Sequence, residues 1–196
     1  MGQGSGVPLW ADGDAKRNSG AWAYRLAVHT SNSIACDGCG ALFPETDQPT
    51  HPYIGASPGC WRVYTDLLGK LHAAPVDALT TRLAVDAYAA QHPGVEGPQQ
   101  IRSVAGHLIA LHLVLERNAE SEFTTRCLGR LSELRDRLVW LDPPTLGGLT
   151  VVDVAARHDM HIRAGIVREW ATNVWDSWLK HHNRIRDWAI VLAPST

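Results

Sequence analysis

The chain has 196 residues, 45% of them hydrophobic and 19% charged, with a formal net charge of -2. That length can bury one substantial core, and the composition is not that of a disordered chain. The charge balance lacks the basic footprint of a nucleic-acid binder, and no run approaches the roughly eighteen continuous apolar residues of a membrane span.

The opening stretch, MGQGSGVPLWADGDAKRNSG, has neither the basic start nor the apolar run of a secretory signal. Gly6 stands where a myristoylation signal wants Ser or Thr. The expectation is a cytoplasmic protein in which Cys36, Cys39, Cys60 and Cys127 stay reduced. Residues 1–33 read as a partly mobile leader, with Trp10 and Trp22 out of character, and residues 34–193 as a single metal-binding helical domain.

Residues 34 to 59 carry dense turn signals and no helical period. A loop of that length inside a domain needs something to hold it, and a metal is one candidate. Cys36 and Cys39 have the two-residue gap that lets one tight turn aim two thiolates at one ion, and Gly38 and Gly40 free the backbone for that turn. Cys60 falls where a helix starts, so a thiolate there gains from the free N–H groups of the first turn. His51 completes a C-x2-C-x11-H-x8-C pattern. Such a Cys3His set suits tetrahedral zinc, so Zn(2+) is the expected cofactor, with Cys36, Cys39, His51 and Cys60 as ligands.

Helical periodicity then takes over. Ser57 reads as an N-cap and Pro58 as the first helical residue of a segment carrying Trp61, Tyr64, Leu67, Leu68 and Leu71. A second helix runs from Pro75 to a stop at Pro93 and Gly94. A third opens at Pro98 and is nearly all apolar from Val104 to Leu115, the mark of a central helix. SEFTTRCLGRLSELRDRL looks amphipathic behind a cap-like Ser121, with Cys127 as core packing. LDPPTLGGLT breaks the pattern, and TVVDVAARHD opens a short helix with Thr150 as cap and Asp153 three residues later. From His161 to Leu192 the spacing gives one long helix or two consecutive ones, breaking near His181 and His182. No strand-like alternation is visible. The expected fold is an all-α bundle of five to seven helices with an irregular zinc-binding Cys/His segment at its N-terminal edge.

A second constellation is internal. Gln100, Ser103 and His107 share one face of the apolar third helix, and a polar stripe there needs a partner or a cavity. His92 ends the second helix with Tyr88 one turn back, and the short connection places His92 and Gln100 at the same end of the bundle. Asp86 is a candidate ligand or base, or else an i, i+4 partner of Arg82. His107, His92, Asp86 and Tyr88 are therefore the candidate catalytic residues, against the plainer reading of satisfied core and capping groups.

The segments CDGCGALFP, THPYIGASPGCW, VDAYAAQHPG, HLIALHLVLE and REWATNVWDSW followed by HH resemble an uncharacterised group of bacterial proteins built on a domain of unknown function. The resemblance covers roughly residues 34 to 192. It implies that Cys36, Cys39, His51, Cys60, Tyr88, His92 and His107 belong to the group's signature, and it brings no reaction with it. Three functional classes stay open. One is a zinc-dependent hydrolase or lyase acting on a small molecule. The others are a non-catalytic zinc-stabilised helical interaction module and a thiolate-based metal or redox sensor. No nucleic-acid or membrane partner is expected; a small-molecule substrate or a protein partner is left undetermined.

Overall fold

The computed structural model describes residues 33–145 and 147–193, so the leader expected over residues 1–33 lies outside the description save for its last residue. The described chain is helical apart from one small hairpin: β1 (Ser33–Ala35), β2 (Leu42–Pro44), α1 (Pro58–Ala73), α2 (Ala78–Gln91), α3 (Pro98–Leu115), α4 (Ser121–Gly129), α5 (Val151–Ala155), α6 (Met160–Ser177) and α7 (His182–Leu192). Short 3-10 turns at Leu131–Leu134 and Leu179–His181 follow α4 and α6.

The hairpin is the departure from the sequence reading. β1 and β2 pair antiparallel, with Ile34 opposite Phe43 and Ala35 opposite Leu42. Each strand has three residues, too short for an alternation to register in the sequence. The hairpin is closed by the Cys36 N–H donating to the Ala41 carbonyl (2.9 Å) and the Gly40 N–H donating to the Cys36 carbonyl (2.7 Å). Gly40 takes φ +73°, a left-handed conformation that a Cβ would strain.

The helices start where their caps dictate. Ser57 accepts from the Cys60 N–H at 3.3 Å, and Pro58 fills the first turn of α1, where no N–H is needed. α2 begins at Ala78 rather than Pro75, because the Asp77 carboxylate accepts from the Thr80 N–H at 2.6 Å and sets the boundary there. Ser121 is the first residue of α4, behind Glu120, which makes no side-chain cap. α4 stops at Gly129, and the rest of that amphipathic stretch becomes a 3-10 turn. Thr150 and Asp153 form a reciprocal capping box on α5. The Asp159 carboxylate caps α6 through the His161 and Ile162 N–H groups. The C-terminal stretch is two helices, broken after Ser177 as the histidines indicated.

One core runs through these elements. α2 packs against α3 and α6, α3 against α7, and α1 against α2 and α5. Ala84, Ala87 and Ala90 keep α2 slender between α3 and α6: Trp170, which meets Tyr88 and Gln91 of α2, and Leu108, Ile109 and Leu111 of α3 are fully buried. Burying a side chain of this kind contributes roughly 1.5–3 kcal/mol. The hairpin joins this core through Phe43, which is fully buried against Gly59 at the start of α1; a Cβ on Gly59 would stand 2.6 Å from the Phe43 Cβ. The Cys/His segment is thus seated where α1 begins and α2 ends. Among the described residues no helix is long and apolar enough to cross a membrane.

Candidate metal centre

Three elements converge on one point. The β1–β2 turn carries Cys36 and Cys39, the first turn of α1 carries Cys60, and the C-cap of α2 is His92. One ligand atom from each lies within 4.8 Å of all the others, and all four residues are buried. The Cys39 and Cys60 sulfurs are 3.9 Å apart, and Cys60 Sγ is 3.4 Å from His92 Nε2. Donors around one tetrahedral zinc, with bonds of about 2.3 Å to sulfur and 2.0 Å to nitrogen, stand roughly 3.5–3.8 Å apart.

The surroundings prepare these donors for a cation. The Ser57 N–H points at Cys36 Sγ (3.4 Å) and the Tyr88 hydroxyl donates to Cys60 Sγ (3.4 Å). His92 is held through Nδ1, 2.7 Å from the Tyr88 carbonyl. A carbonyl only accepts, so Nδ1 carries the proton and Nε2 turns its lone pair toward the sulfurs, as second-sphere partners do for metal-bound histidine. The ring stacks on Tyr88 at 4.1 Å, and Tyr88 stacks on Tyr64 at 3.7 Å, fixing its plane. Gly38 completes the fit: a Cβ there would stand 2.3 Å from His92 Cδ2 and 2.7 Å from the Gly55 carbonyl oxygen.

By themselves the three sulfurs support a single negative charge. The Cys39 and then the Cys60 thiol hydrogen-bond to Cys36 and hold its pKa far below the ordinary thiol value. As the donor in that arrangement Cys39 is pushed up to about 12, and Cys60 is pushed up by Cys36, by Cys39 and then by burial. A dication displaces the two remaining protons and lets all three sulfurs ionise. The donor set therefore fits a soft, tetrahedral metal ion.

The sequence pattern placed His51 in this set, and the structure puts His92 there instead. His51 packs edge-on to Tyr53 (4.3 Å) and against Trp61 (5.2 Å), outside the four-donor group. It is nearer to Cys60 in sequence, but the path through Pro52 and Gly55 turns it onto the Trp61 ring. The Gly55 N–H meanwhile donates to the His92 carbonyl (3.1 Å) and ties this segment to the end of α2. His92 is 32 residues from Cys60 and reaches it because α1 and α2 pack together. The sequence signal that could have found it is its place at a helix end, one turn past an aromatic residue and directly before Pro93.

The other residues singled out for catalysis divide. Tyr88 borders the four-donor group as a donor to Cys60; burial, then the neighbouring Cys60, push its pKa far above the usual phenol range, so it holds its proton. Asp86 and His107 lie outside the four-donor group but meet each other: His107 Nδ1 is 2.8 Å from Asp86 Oδ1, and Arg82 stands 3.8 Å from Oδ2. Arg82 also donates to Ser121 Oγ (3.1 Å) and Thr125 Oγ1 (2.5 Å), so this network ties α2 to α3 and α4. Gln100 folds back over the turn after α2, with its Cγ 3.5 Å from the Cβ position of Gly94.

A cleft of about 210 Å³ adjoins the centre. It is lined by Asp37 and Gly38 of the Cys turn and by Pro93 and Gly94 beyond His92, while none of the four donors opens into it. No curated protein and no solved structure is detectably similar to this chain. A family profile does match residues 34–179, spanning both the Cys/His segment and the helices up to the break after α6. The chain therefore belongs to the family of unknown function DUF5946.

Proposed function

We propose that this chain is a zinc protein in which the ion is a structural pin, fixing the β1–β2 hairpin to the start of α1 and the end of α2. The observation that carries this reading is the buried group of four protein donors, three sulfurs and one imidazole nitrogen, all within 4.8 Å. Zinc suits that set, since three thiolates and one histidine are a closed tetrahedral shell. A zinc-dependent hydrolase or lyase needs an open coordination position, and three thiolates blunt the Lewis acidity that such chemistry uses. A thiolate sensor needs sulfur within reach of solvent. Cys36, Cys39 and Cys60 are at most 5% exposed, which favours the pin over the sensor. The domain is then a zinc-stabilised helical module whose recognition surface lies outside the metal shell.

Elemental analysis of the purified protein tests this. About one zinc per chain is expected. His92→Ala should lose the ion, and His51→Ala should keep it and change stability by no more than about 1 kcal/mol. Retention in the first variant with loss in the second would overturn the assignment.

A further inference from the structure

The cleft beside the metal turn contains an unmatched charge. Asp37 sits between two metal donors, so its backbone position is fixed, yet its side chain is exposed and makes no hydrogen bond or ion pair within the described residues. Among those residues it is the one charged group lining the cleft. Of the neighbouring polar side chains, Gln91, Asn173 and Ser177 make hydrogen bonds elsewhere, while the Thr145 hydroxyl carries no charge. Gln91 Nε2 donates to the Leu149 carbonyl (2.9 Å), and Gln91 Oε1 accepts from Trp170 Nε1 (3.1 Å). Asn173 Oδ1 accepts from the Leu149 N–H (3.1 Å), and Ser177 Oγ donates to the Val174 carbonyl (2.6 Å). Much of the remaining wall is apolar, built from Pro93, Pro143, Pro144 and Val174. A concave, largely apolar surface with one fixed, unpaired carboxylate is complementary to a small organic cation: an ammonium or guanidinium head on a short hydrocarbon.

We infer that this cleft binds a small alkylammonium or alkylguanidinium ligand, with Asp37 holding the cationic head and the proline wall receiving the hydrocarbon. At about 210 Å³ the space takes a molecule of a few heavy atoms, not a folded partner. The Asp37–Gly38 wall is held between Cys36 and Cys39, and the Pro93–Gly94 wall follows His92 directly, so the metal shapes both sides. By linkage, a ligand that binds the shaped cleft holds the ion more tightly in return. This coupling rests on the structural-pin reading; the cation site itself rests on Asp37 and the cleft.

The test uses the full chain, with its zinc content measured on the same sample, and follows backbone and side-chain amide NMR signals during titration with n-butylammonium and n-butylguanidinium. The matched controls are n-butyrate and 1-butanol. Saturable shifts at Asp37, Gly38, Gly94 and Asn173 are expected for the two cations and not for the controls. Asp37→Asn, nearly isosteric and outside the donor set, should weaken cation binding at least about fivefold, as expected for loss of a charge-assisted contact, while the zinc content is unchanged. Equal binding of butyrate or butanol, or cation binding indifferent to Asp37→Asn, would overturn the site. Absence of saturable binding in a zinc-replete sample overturns the cation site and leaves the pin standing. Saturable binding in a zinc-free sample does the reverse.

Discussion

Two polar clusters, one buried and one half-exposed, sit at opposite ends of the helix pair α2–α3, and they balance their charge in different ways. At the far end Glu116, just beyond α3, receives Arg186 of α7 through both guanidinium contacts (2.7 and 2.9 Å), Trp175 Nε1 (3.1 Å) and His112 Nδ1 (2.9 Å). His182 lies 3.9 Å from the same carboxylate and stacks on Trp175 at 3.7 Å. That cluster contains its own cation and joins α3, α6 and α7 without help. The Cys36, Cys39, Cys60 and His92 cluster contains none: its donors face one another at contact distances, and two sulfurs keep protons for want of a positive charge. Burial and polarity alone do not mark a ligand site. A missing countercharge does, because three buried sulfurs and an imidazole can present all four lone pairs to one point only when a cation replaces the thiol protons.

The largest effect that separates the two ends is removal of a donor. Cys60→Ala should abolish metal binding and cost several kcal/mol, since a structural zinc contributes its binding energy to folding. For a chain of this size that corresponds to a fall in Tm of roughly 10 °C or more, read by calorimetry. A strong chelator should lower the wild-type Tm toward that of the variant and leave the Cys60→Ala protein unmoved.

Gly38→Ala sharpens the same end without touching a donor. The added Cβ must displace the His92 ring, held through Nδ1 at the Tyr88 carbonyl, or the Gly55 carbonyl, whose residue is held through its N–H at the His92 carbonyl. An overpacking cost of about 1–3 kcal/mol is expected, with weaker retention of zinc against a competing chelator. A tolerated alanine with full retention would mean that the turn does not press on the His92 ring as described.

The self-balanced end should respond to pH and not to metal. Glu116 is held down at about 2, chiefly by Arg186, with His112 and Trp175 adding to the effect against burial. Its folded pKa lies below the unfolded carboxylate value of 4.5, so its contribution is fully present above that pH and is lost as pH falls toward about 2. The carboxylate is partly exposed, and solvent screening reduces the contribution to about 1 kcal/mol. Glu116→Gln should therefore flatten the acid limb of the stability curve over that window, measured by denaturant unfolding, with zinc content unaltered. His112 adds a smaller slope nearer neutrality. Burial lowers its pKa below 6.5, so protonation in acid favours the unfolded chain, and stability rises with pH up to about that value.

Much of this contrast is legible in the sequence, and the remainder fails for identifiable reasons. The helices announce themselves through caps: Ser57 with Pro58, and Thr150 with Asp153, stand where the structure uses them. The three cysteines are brought together as their spacing suggests, because a C-x2-C turn and a helix N-terminus are local features. The β1–β2 hairpin escapes notice, since its three-residue strands carry no period and its register is set by Cys36, Ala41 and Phe43 packing on Gly59. The fourth member of the cluster, His92, arrives through long-range packing. His51 and His92 are both plausible by residue type, and the packing of α1 on α2 chooses between them. The Glu116 cluster is invisible for the same reason, its partners lying 59 and 70 residues away on α6 and α7.

The central claim is a closed Cys3His shell, and X-ray absorption at the zinc edge of the purified 196-residue chain tests it most directly. The account predicts about three sulfur scatterers near 2.3 Å and one nitrogen near 2.0 Å, with the same shell in His51→Ala and the bound zinc itself lost in His92→Ala. A shell with no imidazole scattering, a zinc shell retained unchanged in His92→Ala, or no zinc at the edge in the wild-type chain would contradict it.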